Sequence, residues 1–176
     1  MMQDLAMHIL DLGQNSIRAN ASVIHLDLWI DDAKDTITFR LEDNGCGMDE
    51  EMQQRVLDPF FSTRTTRKIG LGIPLIKELA ELCNGTFQLK STVNVGTTLE
   101  ITLQKSCWDT PPLGDVGEAI MMLIQADGCI EYEFHYRHHE EFIMKTTEIK
   151  EILGDVNIQE PEILIWLKEY INENMK

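Results

Sequence analysis

Two alternating runs near the start of the chain constrain its fold more than anything else in the sequence. In Ser22-Val23-Ile24-His25-Leu26-Asp27-Leu28-Trp29-Ile30, the residues Ile24, Leu26, Leu28 and Ile30 share one side, and in Thr36-Ile37-Thr38-Phe39-Arg40-Leu41 the residues Ile37, Phe39 and Leu41 do the same. Strict period-two alternation marks a strand with one face turned to a core. The polar run Asp31-Asp32-Ala33-Lys34-Asp35 between them reads as the turn of a hairpin. Extending the second run's period puts Asp43 on the inward face, within Leu41-Glu42-Asp43-Asn44-Gly45-Cys46-Gly47-Met48-Asp49. Two readings are open at that point. Either the strand has ended and Asn44-Gly45 is a turn, or a carboxylate points inward and meets a partner, because burying it unpaired costs several kcal/mol.

A sheet with one apolar face needs a covering layer. Residues 3 to about 19 are expected to form a helix, with an apolar stripe of Leu5, Ile9, Leu12 and Ile17 and a polar stripe of His8, Asp11, Asn15 and Arg18. Asp49 is placed to cap a short helix over 50–57 that Pro59 stops. A further helix opens after Gly70-Leu71-Gly72, carries Pro74 in its first turn and ends at Asn84-Gly85. Strands at 86–91 and 97–104 flank Val93-Asn94-Val95-Gly96. The predicted class is α+β, with about four strands carrying helices on one face. After Pro111-Pro112-Leu113-Gly114 the pattern gives a helix over 115–126, strands over 129–136 and 140–145, and helices near 147–153 and 160–174. The expected division is therefore 1–106 and a small α+β appendage over 113–176, which packs on the first part because about 65 residues bury too little to fold alone.

Charge narrows the partners. The formal net charge of -15 disfavours nucleic acid or an anionic membrane. Residues 107–176 hold 15 Asp and Glu against 5 Lys and Arg, whereas residues 59–77 contain no acid and four bases, Arg64, Arg67, Lys68 and Lys77. Such an island in an acidic chain is either a solvated loop or a place for an anion. No apolar run approaches the roughly 18 residues that span a bilayer, and the first residues carry no basic flank or cleavage site. Four scattered cysteines without a CxxC pair argue against zinc and a disulfide framework, so the expected location is the cytoplasm. His135-Tyr136-Arg137-His138-His139 invites a metal reading, but it lacks regular ligand spacing and falls on a predicted hairpin turn.

Taken in order, the segments become specific. Asp11-Leu12-Gly13-Gln14-Asn15-Ser16-Ile17-Arg18 resembles the N box of the superfamily shared by DNA gyrase, the large heat-shock chaperone, histidine kinases and mismatch-repair ATPases, known as GHKL. Glu42-Asp43-Asn44-Gly45-Cys46-Gly47 resembles its G1 box, Asp58-Pro59-Phe60-Phe61-Ser62-Thr63-Arg64 its F box, and Ile69-Gly70-Leu71-Gly72 its G2 box. Gly96-Thr97-Thr98 is similar to its last glycine-threonine motif. The match covers residues 4–104. The whole chain is further similar to small stand-alone ATP-binding proteins encoded beside iron hydrogenase genes.

The resemblance implies a Bergerat fold, a two-layer α/β sandwich whose mixed sheet and helices enclose Mg²⁺ and ATP. It implies that Asp43 accepts a hydrogen bond from the adenine amine, that Gly45 and Gly47 let backbone approach the base, and that Thr98 adds a hydroxyl beside Asp43. Asn15 would ligate Mg²⁺, and the N-H groups of the Gly70-Leu71-Gly72 turn would meet phosphate. Arg64, Arg67 and Lys68 would neutralise the triphosphate. Asp11 falls where many hydrolysing relatives carry a glutamate base. Losing a methylene draws the carboxylate back by about 1.5 Å, so hydrolysis is expected to be slow. The chain leaves no room before the N box for a phospho-accepting histidine hairpin, and His8 is read as a helix-surface residue. A protein partner or phospho-acceptor in trans is therefore expected.

Overall fold

The computed structural model describes residues 4–60 and 72–176. Along the chain run α1 (Leu5–Arg18), β1 (Val23–Asp31), β2 (Thr36–Asp43), α2 (Glu50–Val56), α3 (Gly72–Leu82), β3 (Thr86–Thr92), β4 (Gly96–Gln104), α4 (Val116–Ala126), β5 (Glu131–Arg137), β6 (Glu141–Lys145), α5 (Thr146–Leu153) and α6 (Pro161–Asn174). The six strands form one mixed sheet in the order β3-β4-β2-β1-β5-β6. Every pairing is antiparallel except that of β1 with β5, which is parallel.

Alternation decides which face is covered. Ile24, Leu26 and Leu28 of β1, Ile37, Phe39 and Leu41 of β2, Leu99, Ile101 and Leu103 of β4, and Tyr132, Phe134 and Tyr136 of β5 are buried. The residues between them, such as His25, Asp27, Arg40, Glu42, Glu100 and Glu133, are half-exposed and make the other face polar. Period two thus yields a sheet wet on one side, and the helices cover the apolar side.

The strands after Gly114 extend the first sheet, because β5 docks along β1 from Val23↔Glu131 to Trp29↔Arg137. The expected four strands become six. One continuous core holds Leu5, Ile9 and Leu12 of α1 together with Ile120 and Leu123 of α4 and Leu164 and Leu167 of α6. Helices α1 and α4 pack so closely that a Cβ at Gly13 would lie 2.5 Å from a Leu123 methyl. The connection between β4 and α4 also completes α1: Leu5 and Ala6 donate their N-H groups to the carbonyls of Pro112 and Leu113 at 3.0 and 2.9 Å. These N-terminal donors have no partner within their own helix. Asp4 caps the same end by accepting from the Met7 N-H at 2.9 Å, and Asp49 caps α2 by accepting from that of Met52 at 2.8 Å.

Candidate functional site

Asp43 ends β2 facing inward, 8% exposed. Its partners explain how the fold tolerates it. Ser16 Oγ donates to Oδ2 at 2.5 Å, and the Gly45 N-H donates to Oδ1 at 2.8 Å. Bonds of this kind to a carboxylate contribute roughly 1.5–3 kcal/mol each. Each oxygen still has acceptor capacity for a further donor. Ser16 is 2% exposed and stands on α1 at four-residue spacing from Leu12, so a polar residue on the apolar stripe of Leu5, Ile9 and Leu12 is what ties the helix to Asp43. Sequence reasoning missed Ser16, although that position on the stripe was its signal.

The loop after Asp43 is held by its own atoms. Asn44 Oδ1 accepts from the N-H groups of Ser22 and Val23 at 2.8 and 2.9 Å, fixing the start of β1. The Cys46 carbonyl accepts from the Asn94 N-H at 2.8 Å, and Ser91 Oγ accepts from that of Met48 at 2.8 Å. Gly47 has φ +66°, and a Cβ there would stand 2.0 Å from the Thr92 carbonyl oxygen; at Gly45 it would stand 2.8 Å from the Ala19 Cβ. Both glycines are thus required by the chain's own crowding.

The register corrects one expected neighbour of Asp43. Thr97 is its cross-strand partner, whereas Thr98 pairs with Glu42. Directly paired residues share a face, and a shift of one reverses it. Thr98 therefore belongs with His25, Glu42 and Lys90 on the wet face; a groove of about 530 Å³ at this end of the sheet is lined by these residues and by Asp43 and Thr97 as well. Thr97 shares the face of Asp43 and has its Oγ1 2.8 Å from Ser91 Oγ.

Four buried side-chain polar atoms among the described residues lack a partner, and three lie on α1: His8 Nδ1, Asp11 Oδ2 and Asn15 Nδ2, the fourth being Trp29 Nε1. Such groups are rare in folded proteins and call for an explanation. Their spacing of three and four residues puts them on one helical stripe, next to the Ser16–Asp43 bond. His8 corrects the surface reading, being only 4% exposed. Asn15 Oδ1 accepts from Arg18 Nη1 at 2.8 Å. A Cβ on Gly72, the first residue of α3, would stand 1.9 Å from Asp11 Oδ2, so a larger residue at this helix start would have to displace the Asp11 carboxylate. Arg64, Arg67, Lys68, Gly70 and Leu71 lie outside the described residues.

Burial drives the His8 pKa below its ordinary value, against an upward pull from Asp4. The folded chain then keeps His8 neutral while the unfolded chain takes up a proton below about pH 6.5. Stability is full above that pH and falls as the pH drops through it, because the unfolded state binds more protons. His8→Gln removes this contribution, and urea melts are expected to show a flatter decline below about pH 6.5 in the variant. Parallel curves would show that His8 protonates equally in both states.

The family described as histidine kinase-, DNA gyrase B- and HSP90-like ATPase matches residues 3–106, more than half of the sequence. The chain belongs to this family. It is 30% identical over 95 residues to the sensor histidine kinase YvrG of Bacillus subtilis, a match spanning 52% of this chain and 16% of that protein. It is 34% identical over 92 residues to the heme sensor protein HssS of Staphylococcus saprophyticus, spanning 52% of this chain and 20% of that one. The match therefore spans about a fifth or less of each. Among solved structures, the Aquifex aeolicus MutL ATPase domain complexed with ADP aligns over 87% of this chain and 70% of its own, with a TM-score of 0.55 at 12% identity. The N-terminal domain of a DNA repair protein aligns over 89% and 59%, with a TM-score of 0.57 at 14% identity. These likenesses of fold run past residue 106 into the part containing β5 and β6. Among the described residues, no helix is long and apolar enough to cross a membrane.

Proposed function

We propose that the chain binds ATP with Mg²⁺ and either hydrolyses it slowly or transfers its terminal phosphoryl group to a separate protein acceptor. The observation that carries this reading is the row of unpartnered atoms on α1 beside a buried, doubly bonded Asp43. Asp43 accepts the adenine amine with the capacity that Ser16 and Gly45 leave free. Thr97, across from it, takes the place first expected for Thr98.

The donor set suits a hard divalent ion, since an amide and a carboxylate one turn apart can share it with water and phosphate oxygens. Asn15 would hold the ion through Oδ1 once Arg18 releases that atom, and Mg²⁺ when bound supplies neutralisation of phosphate charge. Asp11 Oδ2, without a partner among the described residues, would accept the proton of the attacking water or of an acceptor hydroxyl. The Gly72 N-H would meet phosphate, as the resemblance implies for Gly70 and Leu71, and Arg64, Arg67 and Lys68 would balance its charge. The sensor histidine kinase among the relatives favours phosphoryl transfer as one outcome. Four free thiols suit a reducing cytoplasm.

A second reading, a nucleotide-gated binding module without turnover, draws on the shorter reach of Asp11. Phosphate release separates the two. The wild-type protein is expected to turn over slowly, and Asp11→Asn to lower the rate roughly ten- to a hundredfold. Equal, near-background rates with ATP binding retained would leave the module. Absence of binding at millimolar Mg-ATP in calorimetry removes both.

A further inference from the structure

We propose that Asp32, His138 and His139 form a binding site for a first-row divalent transition-metal ion at the end of the sheet away from Asp43. Parallel pairing creates the site. Because β1 and β5 run in the same direction, their ends at Trp29 and Arg137 lie side by side, and the turns that follow each strand meet. His138 Nε2 lies 3.0 Å from Asp32 Oδ2 across 106 residues of sequence. His139 stacks on His138 with ring centroids 3.8 Å apart. One ligand atom from each of the three residues lies within 4.8 Å of the others. In sequence the histidine pair lacked a third ligand at any regular spacing, and the fold supplies it from the β1–β2 turn.

Two imidazoles and one carboxylate suit zinc, nickel or cobalt, with remaining positions taken by water. Zinc lies about 2.0–2.2 Å from such nitrogen and oxygen ligands, so the 3.0 Å spacing of His138 and Asp32 lets one ion touch both with little movement. His139 is exposed and has only to turn out of the stack. Lys105 Nζ bonds Asp32 Oδ1, which leaves Oδ2 for the ion and fixes the carboxylate, as outer partners of metal ligands do. Binding moves the His138 proton from Nε2 to Nδ1 or to water, and the ion clamps the β1–β2 turn to the β5–β6 turn. Asp43 and Thr36 bound β2, and its length of about 23 Å separates them, so this site is distinct from the nucleotide reading and does not depend on it.

The test is titration of the untagged full chain with Zn²⁺ alone, followed by calorimetry and by the thermal midpoint. One equivalent is expected to bind and to raise the midpoint, since a ligand of the native state stabilises it. His138→Ala, His139→Ala and Asp32→Asn are each expected to weaken binding roughly tenfold or more. His135→Ala should leave it unchanged, because His135 is engaged by Glu141 at 2.7 Å and Asp27 at 3.6 Å. All three site variants should keep wild-type nucleotide affinity. Retention of Zn²⁺ by the His138→Ala, His139→Ala double variant would assign the ion to the thiols and overturn the site, as would no binding up to about 1 mM.

Discussion

Replacing Asp43 by asparagine is expected to weaken ATP binding roughly ten- to a hundredfold, the effect of losing one charge-assisted hydrogen bond. The substitution keeps the shape of the side chain. The new amide would still accept the Gly45 N-H through its carbonyl oxygen, and its nitrogen would face Ser16, whose hydroxyl can reverse to accept. What it cannot do is accept a second donor where that nitrogen now stands, so the adenine amine meets another donor. The fold should therefore survive while affinity drops. Calorimetry with Mg-ATP, with the thermal midpoint of the nucleotide-free protein as control, separates these effects. An unchanged dissociation constant would show that Asp43 is held by Ser16 and Gly45 for structure alone. Guanine nucleotides supply the control ligand, since their carbonyl in place of the amine offers Asp43 no donor.

Much of this site was legible in the sequence because it depends on short-range periodicity. Period two, counted from Ile37, places Asp43 inward, and the helical period puts Asp11 and Asn15 on one stripe. Thr98 shows where local reading stops. Its face depends on the register between β2 and β4, and a slip of one residue exchanges it with Thr97. His8 shows the same limit on a helix, since it joins the polar stripe by spacing yet tertiary packing buries it. The parallel docking of β5 on β1 joins residues more than a hundred positions apart, as Val23 with Glu131, and no periodicity encodes such a pairing. The break at Pro111-Pro112 marks an appendage expected to pack on the first part, and no local pattern says that its strands do so by extending the sheet. The break is a connection whose carbonyls finish α1, and the sheet continues beyond it.

The backbone around Asp43 sets the other large expectation, which concerns stability. Gly96 opens β4 with φ +142°, a conformation L-residues rarely adopt, and a Cβ there would lie 1.9 Å from the Asp43 carbonyl oxygen and 2.9 Å from the Asn44 Cα. Neither neighbour is the end of a flexible side chain. Gly96→Ala must push β4 away from β2 at the position where Asp43 is presented. Strain and lost pairing together are expected to cost about 3 kcal/mol, lowering the thermal midpoint by roughly 6–12 °C. Gly154 supplies the comparison, since it also has a positive φ, +59°, but nothing stands within 4 Å of its would-be Cβ. Gly154→Ala carries the conformational penalty of φ +59°, ψ -115° alone, about 2 kcal/mol. A Gly96→Ala variant no less stable than Gly154→Ala would mean that β2 and β4 can part there at little cost, and Asp43 would then be held by Ser16 and Gly45 without help from the strand beside it.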